Sequence, residues 1–227
     1  MDMTSTNRTH KANGTRRQLL AAAVSVIGEK GYSGATVDEI VEVAGVSKGI
    51  AYYHFKSKAA MASNVLEEGI GSLVDEFDQL AENATGASTA LLGMIEAFAT
   101  RIFENKAFGR FFVSELWREG RVWSEEMRTY EQRLLHILEG QISRGQKEGY
   151  FRPEIDPAFE AVAIVGMVLT TSLYYITEDG ILPGKKIGVC ADETLTDGRY
   201  ARGEKDAFIG HISDFVRHAT VQPPLLG

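Results

Sequence analysis

The sequence contains very little cysteine. Cys190 is the single cysteine among the 227 residues. One cysteine cannot form an intramolecular disulfide, whereas small proteins of oxidising compartments commonly depend on several. Asp192 and Glu193 follow it without a nearby histidine, which makes a poor metal site. The composition therefore predicts a reduced, cytoplasmic setting and no metal site.

Long apolar runs are also absent. The candidate membrane-spanning segment at residues 161–176 includes two threonines and a serine. Spanning a bilayer takes about twenty apolar residues, so this segment is predicted to be a buried helix instead. A second apolar run follows Arg16 and Arg17 and superficially resembles an export signal. No small-residue cleavage site follows it, and its apolar residues recur at helical spacing, which favours an amphipathic helix.

Motifs of common enzymes are missing as well. The sequence holds no Gly-x-Ser-x-Gly, no Gly-x-x-x-x-Gly-Lys-Ser/Thr and no Gly-x-Gly-x-x-Gly after a strand, and it has little strand pattern of any kind. Its five histidines are scattered along the chain. Since no catalytic constellation is visible, the sequence predicts a protein that is not an enzyme and that carries no cofactor.

Charge is distributed unevenly along the chain. The net charge is −7, yet residues 1–60 hold eight Lys or Arg against five Asp or Glu, which gives +3 and leaves −10 for the remainder. A basic module on an acidic body is expected to seek polyanions at one end while the body is kept away from them.

Residues 36–54 carry the signals of two helices joined by a tight turn. Thr36 and Glu39 form a capping box, in which each side chain satisfies a backbone donor of the other residue. Gly45 is placed to end this helix, and Ser47 is a natural cap for the next one. A helix at about 15–30 precedes them. Together they predict a helix-turn-helix, which presents its second helix to the major groove of DNA.

The short helix after Ser47 offers more to a partner than to a core. Lysine and histidine suit phosphate, tyrosine hydroxyls suit phosphate or base edges, and small residues allow close approach to the groove. The residues of these types are Lys48, Gly49, Ala51, Tyr52, Tyr53 and His54. The alternative is an ordinary helical hairpin with surface tyrosines.

The stretch GYSGATVDEIVEVAGVSKGIAYYHFKSKAAM resembles the N-terminal domain of the TetR/AcrR family of transcriptional regulators, and the similarity covers residues 15–65. The resemblance implies that Thr36 and Lys58 grip phosphates at the two ends of the DNA-reading unit. It also implies that Phe55 packs the recognition helix against its neighbours. The implied DNA-binding residues are Thr36, Ser47, Lys48, Gly49, Ile50, Tyr52, Tyr53, His54 and Lys58.

Two positions depart from the common pattern of the family. Ile50 stands where threonine or another polar residue is usual, and Ala51 stands where leucine is usual. An isoleucine that faces the groove could contact a thymine methyl group but donates no hydrogen bond. The operator sequence therefore cannot be copied from a relative.

The whole chain predicts an all-α protein of about nine helices. It divides into a disordered arm at 1–13, a helix-turn-helix DNA-binding domain at 14–60, and a larger effector-binding and dimerisation domain at 61–222. A long amphipathic helix from Lys58 to about Leu80 links the DNA-binding domain to the larger one.

Two further helices are predicted near the C-terminus. Asp156 caps a helix that begins at Pro157 and is apolar nearly all round, so it must be buried on more than one side. The last helix spans about 203–219, and its apolar face is formed by Phe208, Ile212, Phe215 and Val216. The resemblance implies that these two helices pair with their mates in a two-fold dimer. The loop at 179–206 is either functional or disordered.

Aromatic residues are dense between residues 98 and 130. The resemblance implies an effector pocket among the fifth to eighth helices, and such pockets are mostly apolar. The candidate effector-binding residues are Phe98, Phe103, Phe112, Leu116, Trp117, Trp123, Met127, Tyr130, Met167 and Tyr174. The alternative for each is that it fills the core. Glu96, Glu104 and Glu115 could face a cationic ligand, but solvated helix faces already explain them.

The sequence thus predicts a homodimeric, ligand-responsive transcriptional repressor that leaves a near-palindromic DNA operator when a small apolar effector binds. The expected partners are double-stranded DNA, the effector and a second copy of the chain, with no membrane. Two alternatives stay open: an activator that lacks an effector, and a helical small-molecule or protein-binding module without specific DNA recognition.

Overall fold

The computed structural model describes residues 3–116, 125–176 and 204–221. Apart from one isolated bridge between Phe151 and Val221, its regular elements are all helices, as the sequence predicts. In the described residues they are α1 Met3–Gly34, α2 Val37–Ala44, α3 Lys48–His54, α4 Lys58–Asn83, α5 Ala87–Glu104, α6 Lys106–Leu116, α7 Glu125–Lys147, α8 Pro157–Ile176 and α9 Glu204–Thr220.

The first helix begins earlier than the sequence predicts. It includes residues 3–13, for which the sequence predicts a disordered arm. Extending an existing helix fixes one residue for each new hydrogen bond, so polar residues without an apolar pattern can continue a helix that is anchored further along. Its other end is as predicted, because Gly31 has φ 72° and ψ 161° and breaks the helical backbone there.

Local capping fixes the two helices that follow. The Thr36 hydroxyl accepts from the Glu39 amide at 3.2 Å, and the Glu39 carboxylate accepts from the Thr36 amide at 2.8 Å. Gly45 ends α2 with φ 65°, a left-handed conformation that costs glycine little. The Ser47 hydroxyl then accepts from the Ile50 amide and caps α3. The predicted capping box, glycine turn and serine cap are all confirmed.

One compact unit consists of the described residues within 1–71 and 106–128. In it α1 packs against α2 and α6. A Cβ atom on Gly28 would lie 2.5 Å from the carbonyl oxygen of Ala107, so only glycine permits this crossing of α1 and α6. This unit contains α6 and part of α4 in addition to the helix-turn-helix. The predicted functional boundary near residue 60 stays a prediction.

The second unit consists of the described residues within 72–105 and 129–227. Here α5 packs against α8 and α9, with the Phe103 and Phe208 rings 5.1 Å apart. The Asp156 carboxylate accepts from the Ala158 and Phe159 amides, which confirms the predicted start of α8. The Glu148 carboxylate accepts from the Ala87 amide at the start of α5.

The apolar faces of α8 and α9 are covered only in part. Phe159 on α8 is 70% exposed, although the sequence predicts that this helix is buried on more than one side. On α9, Phe208, Ile212 and Val216 are buried, while Phe215, which the sequence analysis places on the same apolar face, is 64% exposed. Helical spacing gives the angle of a side chain, but not how far a neighbouring helix extends along that face.

Three features concern the described residues only. No helix within them is long and apolar enough to cross a membrane. No group of three or more His, Cys, Asp or Glu side chains in these ranges is arranged to hold a metal ion. Most of the loop predicted at 179–206, including Cys190, lies outside the described residues.

Candidate nucleic-acid interface

Helix α3 presents most of its large side chains to solvent. Tyr53 is 82% exposed and Ile50 is 43% exposed, and Tyr52 is also exposed. Ala51, in contrast, is fully buried, so it belongs to the core of the first unit. The prediction that Ala51 is one of the small residues that let the helix approach a groove is therefore wrong. The outward face of α3 is therefore aromatic and aliphatic.

Lys48 at the start of α3 is paired with an acid on α2. Its ammonium lies 2.7 Å from the Asp38 carboxylate. This hydrogen bond, together with the charge of Asp38, raises the pKa of Lys48 above its usual value. Asp38 thus fixes the direction of the candidate DNA-binding lysine. Sequence reasoning missed it, because the contact joins two helices whose packing no local spacing reveals.

Thr36 is fully engaged in the capping box. Its hydroxyl donates to the Glu39 carboxylate at 2.8 Å while accepting from the Glu39 amide. The same carboxylate accepts from the Lys30 ammonium at 2.6 Å. The hydrogen bond from Lys30, followed by those from Thr36, lowers the pKa of Glu39 to about 2. A phosphate at Thr36 would have to compete with these bonds, and its DNA contact stays a prediction.

Lys58 has an internal role that the sequence did not suggest. Its ammonium donates to the carbonyl oxygens of Tyr32 and Ala35, at 2.5 and 2.7 Å. It also lies 4.3 Å from the centre of the Tyr32 ring, within the range of a cation–π contact. The start of α4 is thereby tied to the turn that precedes α2. One N–H of the ammonium is left over from these two bonds for a phosphate.

The remaining candidates on the helix-turn-helix differ in what they offer. The Ser47 hydroxyl caps α3, so it serves the fold first. Gly49 borders open space, since an added Cβ atom would meet only the Ser47 oxygen at 3.9 Å. The His54 ring is half-buried and stands edge-on to the Tyr53 ring, with ring centres 5.2 Å apart.

Arg16 on α1 contacts the end of the recognition helix, a role that the sequence did not predict. Its guanidinium lies 5.5 Å from the centre of the Phe55 ring, which is buried at the end of α3. It also donates to the Asn64 side chain at 2.6 Å and to the Glu68 carboxylate. Arg16 therefore joins α1, α4 and the end of the recognition helix.

The described candidate effector-binding residues are divided between the two units. Phe112 is buried in the first unit, where it stacks on Phe108. In the second unit Phe98 is buried, while Phe103, Tyr130 and Met167 are half-buried. Outside what the structure describes lie Trp117 and Trp123 and the side chains of Leu116, Met127 and Tyr174.

A groove of about 580 Å³ lies in the second unit, along α4 and α5. Its lining includes three acidic residues, Glu76, Glu96 and Glu104, beside the apolar Leu80 and Ala97. Arg101 in the same groove donates to Glu76 at 3.0 Å and also to Ser72. These contacts neutralise part of the acidic lining.

Two family models match the chain. The model described as "Bacterial regulatory proteins, tetR family" matches residues 19–65. The model described as "Tetracyclin repressor-like, C-terminal domain" matches residues 88–179. The first match contains α2, α3 and nearly all of the candidate interface. The second covers α5 to α8, the region in which the sequence predicts the effector site.

Individual relatives agree with these matches. The transcriptional repressor KstR2 of Mycolicibacterium smegmatis is 29% identical over 144 residues, which are 62% of this chain and 69% of the relative. A solved structure of the ketosteroid transcriptional regulator KstR2 of Mycobacterium tuberculosis superposes with a TM-score of 0.71 at 19% identity, covering 92% of this chain and 95% of the other. The solved structure of the regulator FadR from Bacillus subtilis in complex with stearoyl-CoA superposes with a TM-score of 0.69 at 19% identity, covering 88% of this chain and 96% of the other. These structures share the fold of the chain.

Proposed function

Because the chain belongs to the TetR family of bacterial regulatory proteins, we propose that it binds a near-palindromic operator as a homodimer and leaves that operator when a small apolar effector binds. The observation that carries this proposal is the exposed face of α3, where Ile50, Tyr52 and Tyr53 point away from the core. A cluster of exposed aliphatic and aromatic side chains on one short helix is typical of a surface that binds a partner.

The exposed apolar residues of α8 and α9 support the homodimer. Phe159 and Val162 on α8 and Phe215 on α9 are all more than half exposed, and these two helices contact each other. Covering such groups with the same surface of a second chain gives a two-fold interface. Two recognition helices related in this way read half-sites about 34 Å apart, which is why the operator is expected to be nearly palindromic.

The effector is proposed to be hydrophobic and lipid-derived. The names of KstR2 and of the FadR complex refer to a ketosteroid and to stearoyl-CoA. In this chain, Phe98, Phe103, Tyr130 and Met167 supply apolar surface to the second unit. A molecule that fits only the state with altered spacing of the recognition helices weakens operator binding by its differential affinity for the two states.

Since DNA is the proposed partner, the protein is assigned to the cytoplasm. It is proposed to act by binding and not as an enzyme.

Fluorescence anisotropy tests the DNA part of the proposal. The probes are the intergenic DNA that flanks the gene and a shuffled duplex of equal length, each at two salt concentrations. A specific regulator should prefer the flanking DNA by about a thousandfold or more. Weak, equal and salt-sensitive binding of both duplexes would indicate a nonspecific DNA binder. No binding to either would favour a helical module without DNA recognition.

Thermal unfolding and operator release test the effector part. Stearoyl-CoA and a ketosteroid are the first probes, and free coenzyme A is the matched control because it carries the charged head group without the acyl chain. An effector should raise the unfolding temperature and release labelled operator, while coenzyme A alone should do neither. An unchanged unfolding temperature with both stearoyl-CoA and the ketosteroid would favour a regulator without an effector.

A further inference from the structure

Ile50 is a large aliphatic side chain placed where a core does not use it. It is 43% exposed on a seven-residue helix whose neighbouring Ala51 is fully buried. Its backbone amide already donates to the Ser47 hydroxyl. What Ile50 offers to a partner is therefore an apolar surface alone. Leaving that surface in water forfeits the free energy of burying it, which a contact in the complex would recover.

The neighbours of Ile50 make it a protruding group. Gly49 has no side chain, and an atom added at its Cβ position would meet only the Ser47 oxygen at 3.9 Å. The ammonium of Lys48 is held 2.7 Å from Asp38 and is thus drawn towards α2. One turn further along α3, on the same side of the helix as Ile50, stands Tyr53 at 82% exposure. At this point an apolar side chain stands forward, and the lysine two positions before it is paired with Asp38.

We infer that Ile50 reads the 5-methyl group of a thymine in each operator half-site. In the major groove, thymine presents this methyl beside one acceptor, whereas cytosine and adenine present amino groups that an isoleucine would leave without a hydrogen-bond partner. Thymine is accordingly the base whose groove edge matches an exposed aliphatic side chain. The inference rests on the proposed function, because it requires that α3 enter the major groove.

Removing single methyl groups from the DNA tests this inference. Operators are first selected from a pool of random duplexes with the full-length protein. Each thymine of the selected site is then replaced by deoxyuridine, which removes the methyl and leaves every hydrogen-bonding group in place. At one position per half-site the wild-type protein should lose about fourfold in affinity, as expected for one buried methyl-sized group. The Ile50→Ala variant should bind the thymine and uracil duplexes equally at that position.

Val43→Ala is the matched control. Val43 is a β-branched residue that is 60% exposed on α2, so its truncation removes similar apolar surface outside the recognition helix. This variant should keep the uracil sensitivity of the wild type. Circular dichroism of both variants should show the helix content of the wild type, which verifies that the exposed positions tolerate substitution.

Two results overturn the inference in distinguishable ways. A defined operator with no thymine whose methyl effect disappears in Ile50→Ala would refute the role of Ile50 and leave the proposed function intact. If no sequence is enriched from the pool, the proposed function fails and the inference fails with it.

Discussion

The ammonium of Lys58, the first residue of α4, lies 2.7 Å from the carbonyl oxygen of Ala35, just before the cap of α2. With a second bond to the Tyr32 carbonyl, it closes the helix-turn-helix onto the helix that leads to the rest of the chain. A residue expected from sequence to grip DNA therefore also stabilises the unit that presents the DNA-reading surface. The two roles are separable by experiment.

Lys58→Ala should lower the free energy of unfolding by about 1–3 kcal/mol, because the carbonyl groups of Tyr32 and Ala35 lose a charged hydrogen-bond donor. If Lys58 also contacts a phosphate, the slope of log affinity against log salt should flatten by about one unit. Lys56→Ala is the control, since Lys56 is an exposed lysine two residues away. Urea unfolding and salt-dependent anisotropy measure the two effects. A variant of wild-type stability would contradict the structural role.

Glu39 should make stability depend on pH at the acidic end. Its pKa is lowered from 4.5 to about 2 in the folded chain, chiefly by the hydrogen bond from Lys30. A group with a lowered folded pKa contributes stability above its unfolded pKa and loses it as pH falls through the folded value. The free energy of unfolding of the wild type should therefore exceed that of Glu39→Gln by the full amount above about pH 4.5, and this difference should shrink towards pH 2. Unfolding curves of both proteins measure it.

Glu42→Gln is the control for that series. Glu42 is an exposed acid on the same helix that takes no part in the capping box. The free energy of unfolding of Glu42→Gln should stay close to that of the wild type at every pH, because substituting an exposed residue outside a cap or a buried ion pair rarely changes stability much. If the advantage of Glu39 persists unchanged at pH 2, the ion pair and capping box do not stabilise the fold as described.

Gly28→Ala should destabilise the chain by about 1–3 kcal/mol, the range for forcing an extra methyl into a packed crossing. The added Cβ would meet the backbone of Ala107, which cannot rotate away. Gly140→Ala on α7 is the matched control, because nothing lies within 4 Å of its Cβ position. It should be neutral or stabilise by up to about 1 kcal/mol, as alanine is the better helix former. Equal effects in thermal unfolding would refute the close crossing.

Phe215→Asp should weaken homodimer formation. Phe215 is 64% exposed in the single chain, so the substitution costs the isolated fold little. In a dimer that buries this ring, the loss of apolar burial and the buried charge should weaken association about tenfold or more. Val43→Asp, equally exposed on α2, is the control and should leave association unchanged. Sedimentation equilibrium measures the mass of each, and a fully dimeric Phe215→Asp would exclude Phe215 from the interface.

Local signals in the sequence predicted much of this structure. The capping box of Thr36 and Glu39, the turn at Gly45 and the cap at Asp156 each depend on residues within a few positions of one another, and all are present. What the sequence did not reveal depends on tertiary packing. The pairing of Lys48 with Asp38 belongs to this class, and so does the contact of Arg16 with the Phe55 ring. Local spacing carries no information about which helix lies opposite.

The candidate sites were predictable to different degrees. The residues of the DNA interface lie in one short segment, so their residue types and helical positions could be inferred together. An effector pocket assembles side chains from several helices, and the described candidates are divided between the two units, as Phe98 and Phe112 illustrate. Its residues therefore stay predictions, as does each DNA contact.

The proposed function requires that α3 read DNA sequence. The most direct test compares the affinity for the flanking intergenic DNA with that for a shuffled duplex, using the wild type and an Ile50→Ala/Tyr53→Ala variant. The wild type should prefer the flanking DNA by about a thousandfold. In the variant this preference should fall by at least about tenfold, with unchanged affinity for shuffled DNA, because base contacts specify whereas phosphate contacts only position. Equal affinity of the wild type for both duplexes would refute sequence reading by α3.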